Sequence, residues 1–228
     1  MLKLRVGGFD VCLINSRLEF LRELSGVKKI LIAVNAEKLS NRNYGISEMS
    51  RSHIAYPDGI GAVLAIRRKG CASINYPGVE LWLDFVRLYQ DKKTFYLIGS
   101  TQHIIDATVS KLKTEFPKIK IMGYRNGYFD SASEIASEIC VHKPDVILVA
   151  QGSPRQEITM STLHSQHAAL YIGLGGSFDI YVGNKKRAPI IFRRFGFEWL
   201  YRLAKEPARI KRQLVLMKFG VLVLLNKH

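Results

Sequence analysis

Cysteine is scarce in this chain, and its cysteines stand far apart. The three, Cys12, Cys71 and Cys140, are odd in number and form no CxxC pair. The sequence therefore indicates neither a disulfide framework nor a zinc site, and a reducing cytosol fits best. The N-terminal residues also lack the apolar stretch and small-residue cleavage site of a signal peptide.

A membrane-spanning segment and two common cofactor motifs are missing as well. The apolar tract 214–225 has 12 residues and contains Lys218 and Gly220, whereas a spanning helix needs about 20 apolar residues. We expect this tract to lie on a bilayer without crossing it. No GxGxxG motif stands between a strand and a helix, which disfavours a nicotinamide enzyme. The eight aspartates form no DxD pair, so we expect metal-independent chemistry in which helix termini and arginines balance phosphate charge.

Basic residues, in contrast, are abundant. The 34 Lys and Arg outnumber the 19 Asp and Glu, for a formal charge of +15. This excess favours an anionic partner, namely nucleic acid, a membrane surface or a phosphorylated substrate, although it also serves plain solubility. Residues 193–228 alone hold nine basic and two acidic side chains. Nearly half of the excess thus lies in the last sixth of the chain.

The remainder of the sequence is typical of an α/β protein. At 228 residues, the chain is long enough for one sizeable core, or a core with a small appendage. Short apolar runs bounded by Gly, Asn, Asp or Pro alternate with stretches of helical period, which predicts βαβ units and a largely parallel sheet. The predicted strands are 29–34, 52–56, 94–99, 118–123, 145–150 and 168–174, and the predicted helices are 101–116, 131–142 and 154–167. We predict an α/β catalytic core over 1–190 and a basic helical appendage over 191–228.

The unusual residues of the chain follow these predicted strands. Ligands of open α/β sheets bind beyond the carboxyl ends of the strands, so we expect six loops to converge on one cleft. In chain order the loops contain Asn35, Asp58 with Gly59, Gly99 with Ser100 and Thr101, GYRNGYFD, QGSPRQE and GLGGSFD.

Asp58 in YPDGIGAV is a candidate general base. It stands at a strand end, before Gly59 and an apolar helical stretch, where a carboxylate can accept a substrate proton. The same position also suits a helix N-cap, which is the commoner role for an aspartate.

The QGSPRQE turn, residues 151–157, is a candidate phosphate or sugar site. Free N–H groups at a helix start, near Gly152 and Ser153, attract such oxygens. Gln156 and Glu157 would then project from the first turn towards a bound hydroxyl. An alternative is a capping box with Ser153 as the cap and Gln156 at the third helical position, and both can hold at once.

GLGGSFD, residues 173–179, is a candidate nucleotide contact. Gly175 and Gly176 allow close backbone approach to a ligand, and Asp179 can accept hydrogen bonds from ribose hydroxyls. His164 and His167 share a helix face, but with no carboxylate ligand nearby in sequence a surface helix is the better interpretation.

The end of the chain combines aromatic rings with arginines. Phe195, Phe197, Trp199 and Tyr201 interleave with a basic series that includes Arg202, Arg209 and Arg212. Such clusters serve single-stranded nucleic acid, a membrane interface or a pyrophosphate clamp. A helix that packs its apolar side into the core, with solvated charges outside, is the alternative.

Taken together, these stretches resemble the WecG/TagA/CpsF family of bacterial glycosyltransferases, nearest to its WecG branch. The pieces that match, in the family's order, are NAEKL (35–39), DGIG (58–61), PG (77–78), LIGS (97–100), GYF (127–129), GSPRQE (152–157), GLGGSFD (173–179), RAP (187–189), EWLYRL (198–203) and EPARIKRQ (206–213).

The resemblance implies a Rossmann-like core and a metal-independent, inverting transfer from a UDP-sugar to a polyprenyl-diphosphate-linked acceptor. For the WecG branch the implied donor sugar is N-acetylmannosaminuronic acid and the acceptor sugar is GlcNAc; related hexoses or ManNAc are also expected as donors. The implied location is the inner face of the bacterial cytoplasmic membrane, as a peripheral protein on an anionic surface. An apolar core surface is compatible with a homo-oligomer.

The resemblance also implies roles for single residues. Asp58 matches the proposed base, Asn35 a nearby active-site amide, and Gln156 a polar residue beside the reacting sugar. Tyr128 matches a uracil-stacking ring and Asp179 a ribose contact. From their charge, we further expect Arg202, Arg209 and Arg212 to close over the cleft and stabilise the departing UDP.

Two positions depart from the family pattern, and one other function class competes. Ala33 stands where several relatives have Thr, and Asn75 where many have Arg, so contacts to the donor sugar are expected to differ here. The competing hypothesis is a basic nucleic-acid-binding α/β domain without catalysis, motivated by the charge and by the tail. It leaves the six loops unexplained, so we expect no nucleic-acid partner.

Overall fold

The computed structural model describes residues 1–41, 44–190, 192 and 201. Within these residues, helices and strands alternate along the chain. The elements are β1 (Lys3–Val6), β2 (Phe9–Cys12), α1 (Arg17–Ser25), β3 (Ile30–Val34), α2 (Ala36–Asn41), α3 (Tyr44–Ser52), β4 (Ile54–Pro57), α4 (Ile60–Arg68), α5 (Gly78–Tyr89), β5 (Thr94–Gly99), α6 (Gln102–Glu115), β6 (Lys120–Arg125), α7 (Ser133–His142), β7 (Val146–Ala150), α8 (Arg155–Gln166), β8 (Leu170–Gly173) and α9 (Ser177–Tyr181).

The chain folds into two compact units. Unit 1 contains residues 1–16 and 34–77 and the described residues from Lys186 onward, and unit 2 contains residues 17–33 and 78–185. The strands of unit 1 lie in the order β1, β2, β4, and those of unit 2 in the order β3, β8, β7, β5, β6. Strand pairing is parallel in both units except between β1 and β2. The predicted α/β fold with a largely parallel sheet and flanking helices is confirmed.

Unit 1 begins with a hairpin that the sequence analysis did not predict. Strands β1 and β2 pair antiparallel from Lys3 opposite Cys12 to Val6 opposite Phe9. Gly7 and Gly8 form the two-residue connection with φ of 55° and 90°, the left-handed backbone that tight hairpins require. The parallel neighbour β4 meets β2 at Val11 and Ala55. Its carboxyl end leads straight into the turn that carries Asp58.

Unit 2 holds the fully buried centre of the parallel sheet. Every residue of β7 and β8 is buried, and so is all of β5 after Thr94. Such continuous apolar strands form where helices cover both faces of a sheet. The outer strand β6 instead alternates between exposed and half-buried residues. Loops that leave β5, β6, β7 and β8 at their carboxyl ends carry the remaining candidate residues that the structure describes.

Candidate active site

In unit 1, the main chain places Asp58 beside Asn35. The Asp58 N–H donates a hydrogen bond to the Val34 carbonyl oxygen at 2.9 Å, and Val34 is the residue directly before Asn35. Asp58 is half-buried at the end of β4. The N-cap of α4 is Gly59, so the alternative role of Asp58 as the cap of that helix is wrong. Two of the three predicted catalytic residues therefore lie at adjacent strand ends.

Asn35 also organises the turn that leads into α2. Its side-chain Oδ1 accepts the Lys38 N–H at 3.0 Å, and its carbonyl oxygen accepts the Leu39 N–H at 3.1 Å. This arrangement is that of an asparagine capping a helix. The Asn35 amide nitrogen is then the side-chain group that would donate to a ligand next to Asp58.

Asn75, which the sequence analysis noted only as a departure from the family, supports the same turn. Its Oδ1 accepts the Gly59 N–H at 2.6 Å, directly after Asp58. The Tyr76 N–H donates to the Pro57 carbonyl oxygen at 3.3 Å. Asn75 and Tyr76, which precede the PG pair, thus hold the Pro57–Gly59 turn with two hydrogen bonds. Asn75 is separated from Gly59 by 16 residues in the sequence, so a local sequence pattern does not predict this hydrogen bond.

Tyr56 lies under this turn as a neutral phenol. It is fully buried, and burial raises its pKa well above the usual value, with smaller contributions from the negative charge of Asp58 and from Tyr76. Because the phenol stays protonated at physiological pH, it does not compete for the role of base. The carboxylate of Asp58 is the acidic group that this turn offers for proton transfer.

In unit 2, side-chain donors hold the carboxylate of Asp179. The Ser100 hydroxyl donates to Asp179 Oδ2 at 3.0 Å, and the Asn184 amide donates to Asp179 Oδ1 at 2.8 Å. Both Asp179 and Ser100 are half-buried. Ser100 follows β5 and Asp179 lies on α9, so two separate strand-end loops meet at this carboxylate.

Tyr128 stands on the loop after β6 and points its ring into solvent. The side chain is 70% exposed, while the Tyr128 N–H donates to Asn126 Oδ1 at 2.9 Å. A tyrosine with a fixed backbone and an open ring face suits stacking on a base.

The side chains of Gln156 and Glu157 are buried, whereas the sequence analysis expected them to project towards a bound hydroxyl. They do not project from the first turn of α8, since their exposed fractions are 3% and 1%. Gln156 Oε1 accepts the Gly175 N–H at 2.8 Å, and its Nε2 donates to Glu157 Oε1 at 3.1 Å. The Gln156 amide therefore anchors the glycine loop after β8 from beneath.

The capping-box alternative for QGSPRQE is also wrong. Pro154 occupies the N-cap of α8, with no side-chain hydrogen bond at the cap, so Ser153 lies outside the helix. Ser153 is exposed and Gly152 half-buried; the Gly152 carbonyl oxygen accepts the Gln156 N–H at 2.9 Å. Of the glycine pair in the loop after β8, Gly175 is held by Gln156, and Gly176 is the exposed N-cap of α9.

Comparison with known proteins assigns the chain to a family. The model of the glycosyl transferase WecG/TagA/CpsF family matches residues 4–228. The chain belongs to this family. It is 37% identical over 198 residues to the N-acetylglucosaminyldiphosphoundecaprenol N-acetyl-beta-D-mannosaminyltransferase of Bacillus spizizenii, a match that covers 86% of this chain and 76% of that protein. The protein is a glycosyltransferase, and the alternative of a nucleic-acid-binding domain is not favoured.

The predicted arginines of this glycosyltransferase lie outside the described residues. Arg202, Arg209 and Arg212 belong to that part of the chain, and so does nearly all of the predicted appendage 191–228. Among the residues that the structure does describe, no helix is long and apolar enough to cross a membrane.

Candidate metal ligands of the glycosyltransferase do not gather in the described part of the chain. No group of three or more His, Cys, Asp or Glu side chains there is placed to hold a metal ion. His164 and His167 instead contact backbone carbonyl oxygens, of Lys28 at 3.0 Å and of Pro144 at 2.9 Å. His164 on α8 and His167 at its C-cap thus contact main-chain oxygens.

A cavity of about 290 Å³ in unit 2 lies at the amino ends of the strands. Its lining includes Lys93, Val146 and Leu170, which stand just before or at the beginning of β5, β7 and β8. Ligands of parallel sheets bind at the carboxyl ends of the strands, where Asp179 and Tyr128 lie. We therefore assign the cavity no part in the transfer reaction.

Proposed function

We propose that this glycosyltransferase moves an N-acetylmannosamine-type sugar from a UDP-sugar to a polyprenyl-diphosphate-linked GlcNAc during synthesis of a bacterial surface polysaccharide. The observation that carries the proposal is Asp58 at the carboxyl end of β4, beside Asn35, in a member of this family. The Bacillus relative is named for an undecaprenol-linked acceptor and for a mannosaminyl group. Its name supports ManNAc as the first donor sugar to test, with the uronic acid second.

Asp58 acts as the general base in this proposal. Its carboxylate removes the proton from an acceptor hydroxyl while that oxygen bonds to the anomeric carbon of the donor. The bond between the anomeric carbon and the diphosphate breaks, and UDP leaves with the electron pair. A single displacement inverts the anomeric configuration, and general base catalysis contributes about 10² to 10⁴ in rate.

The nucleotide of the donor is bound by residues of unit 2. Tyr128 stacks on the uracil, and Asp179 accepts hydrogen bonds from the ribose hydroxyls. Gly152, Ser153 and the loop with Gly175 and Gly176 supply backbone approach to sugar or phosphate oxygens. The absence of a DxD pair from the sequence leads us to propose that Arg202, Arg209 and Arg212, in place of a metal, balance the charge of the departing diphosphate.

The acceptor requires the enzyme to work at a lipid surface. A polyprenyl chain stays in the bilayer while its diphosphate lies at the surface, so the protein has to come to the membrane. We propose that the apolar tract 214–225 enters the interface of the inner leaflet and that the basic side chains around it meet anionic headgroups, each worth about 1 kcal/mol.

Product analysis tests the reaction. The full-length protein is incubated with polyprenyl-diphosphate-GlcNAc and, separately, UDP-ManNAc, its uronic acid or UDP-GlcNAc, with and without EDTA. Mass spectrometry of the lipid fraction is expected to show one added ManNAc residue, formed at the same rate in EDTA. Release of UDP without a lipid-linked product would contradict the acceptor, and loss of turnover in EDTA would contradict the metal-independent mechanism.

Vesicle binding tests the membrane part separately. Full-length protein with Arg209, Lys211 and Arg212 replaced by alanine is compared with wild type on vesicles with and without anionic lipid. The triple variant is expected to lose most of its binding to the anionic vesicles, and wild type is expected to bind them less as salt rises. Equal binding of both proteins to both vesicles would remove the proposed role of these charges.

A further inference from the structure

Ser100 has a backbone conformation that its side chain makes costly. Its φ is 56°, in the left-handed region where a residue with a Cβ atom is disfavoured. Lys143 is the other non-glycine residue with positive φ in the described part of the chain. Lys143 is the C-cap of α7, where a left-handed residue is the usual way to end a helix. Ser100 ends no helix, so its conformation requires another explanation.

The main chain of Ser100 ties together two neighbouring loops. Its N–H donates to the Ala150 carbonyl oxygen at 3.1 Å, and its carbonyl oxygen accepts the Gly127 N–H at 2.8 Å. A Cβ atom on Gly127 would lie 3.1 Å from the Ser100 nitrogen, which shows how closely the two loops approach. Tyr128 follows Gly127 directly. A glycine at position 100 would form the same two main-chain hydrogen bonds and would adopt the positive φ at lower energy. These bonds therefore do not explain why the residue is a serine.

What the serine adds is the hydroxyl that reaches Asp179. The Oγ to Oδ2 distance is 3.0 Å across 79 residues of sequence, and both side chains are half-buried. With the Asn184 amide on Oδ1, the two donors fix the plane of the carboxylate. The remaining lone pairs of the Asp179 carboxylate then have fixed directions. A ligand that donates two hydrogen bonds can bind this carboxylate without any change in the side-chain conformation.

We propose that Ser100 is a positioning residue that orients Asp179 towards the ribose hydroxyls of the nucleotide, while its main chain holds the loop that carries Tyr128. The inference rests on the proposed function, because it takes a nucleoside diphosphate as the ligand. The inference explains why a serine occupies a position with positive φ, where glycine would be accommodated more easily: the hydroxyl is needed to bind Asp179.

Two substitutions separate the hydroxyl from the backbone. Ser100→Gly removes the hydroxyl and relieves the left-handed conformation, whereas Ser100→Ala removes the hydroxyl and keeps the unfavourable φ. UDP affinity, measured by calorimetry, is expected to fall about tenfold in both variants, because each loses a hydrogen bond to a charged group. The melting temperature is expected to be higher for Ser100→Gly than for Ser100→Ala.

Lys143→Gly is the matched control. It relieves the other non-glycine residue with positive φ in the described part of the chain without touching Asp179, so its UDP affinity is expected to equal that of wild type. The inference would be overturned if UDP affinity correlated with melting temperature across the three variants. It would also be overturned if Ser100→Gly bound UDP as tightly as wild type does.

A ligand without ribose hydroxyls completes the test. Wild type is expected to bind 2′,3′-dideoxyuridine diphosphate more weakly than UDP, and Ser100→Gly is expected to bind this analogue as well as wild type does. An equal loss for both nucleotides in Ser100→Gly would show that the serine acts elsewhere and would overturn the inference. Wild type that binds no UDP would contradict the proposed function itself, whereas UDP binding that Ser100→Gly leaves unchanged contradicts only the role of Ser100.

Discussion

In unit 1 the main chain places Asp58, whereas in unit 2 Asp179 is placed through its own carboxylate. The Asp58 N–H is bound to Val34 and the next N–H to Asn75. The Asp179 carboxylate accepts from Ser100 and Asn184. The strand end beside Asn35 suits a carboxylate that takes up a proton, and the two donors on the Asp179 oxygens suit a carboxylate that accepts hydrogen bonds from a ligand. We propose proton transfer for Asp58 and nucleotide binding for Asp179.

Asp58→Asn is expected to have the largest effect on turnover. The amide keeps the shape of the side chain but does not accept the acceptor proton, so kcat is expected to fall by about 10² to 10⁴. The measurement is transfer to the lipid-linked acceptor at saturating UDP-sugar. Asp91→Asn, an exposed site outside the helices and strands, serves as the control with wild-type turnover. Unchanged turnover in Asp58→Asn would remove this residue from the mechanism.

Asp179→Ala is expected to weaken nucleotide binding more than chemistry. The loss of a charged acceptor of hydrogen bonds from the ribose is expected to raise the Kd of UDP about 10-fold to 100-fold. At saturating UDP-sugar, kcat is expected to change much less than in Asp58→Asn. A variant with normal UDP affinity and depressed kcat would reverse the assignment of the two aspartates.

Gln156→Leu is expected to act mainly on stability. Gln156 and Glu157 are buried, and the substitution leaves the Gly175 N–H and the Glu157 carboxylate without their amide partner. The free energy of unfolding is expected to fall by about 1 to 3 kcal/mol, as measured by urea denaturation. Gln166→Leu, on an exposed part of the same helix, is expected to stay within about 0.5 kcal/mol of wild type. Equal stability of the two variants would contradict the anchoring of the glycine loop.

Asn75→Ala is expected to have the smallest effect. It removes the acceptor of the Gly59 N–H from a half-buried turn, at a cost of about 1 kcal/mol. Turnover is expected to fall a few-fold, because the turn behind Asp58 loses one of its supports. A loss as large as that of Asp58→Asn would show that Asn75 contacts the substrates directly.

Six of the eight strands and three of the nine helices in the described part of the chain could be predicted from the sequence, because apolar period and strand-end residues are local features. The six predicted strands and three predicted helices all occur, each end within two residues of the observed bound. The β1–β2 hairpin was missed because its strands, KLRV and FDVC, contain polar residues between the apolar ones, whereas the strand prediction rested on continuous apolar runs.

The details of the site depend on contacts between residues far apart in the sequence. The spacing of Ser153 and Gln156 offered a capping box as an alternative, but Pro154 takes the cap position and the Gln156 side chain binds Gly175, 19 residues away. The hydrogen bond between Ser100 and Asp179 spans 79 residues. Tertiary packing decides such contacts, and no local pattern encodes them.

The Kd of UDP for Asp58→Asn tests most directly whether the two aspartates have separate tasks. Calorimetry on full-length wild type, Asp58→Asn and Asp179→Ala is expected to give Asp58→Asn a Kd within about twofold of wild type. Asp179→Ala is expected to bind UDP clearly more weakly in the same series. If Asp58→Asn instead binds UDP as poorly as Asp179→Ala does, then Asp58 belongs to the nucleotide site and the assignment of a general base to this turn is contradicted.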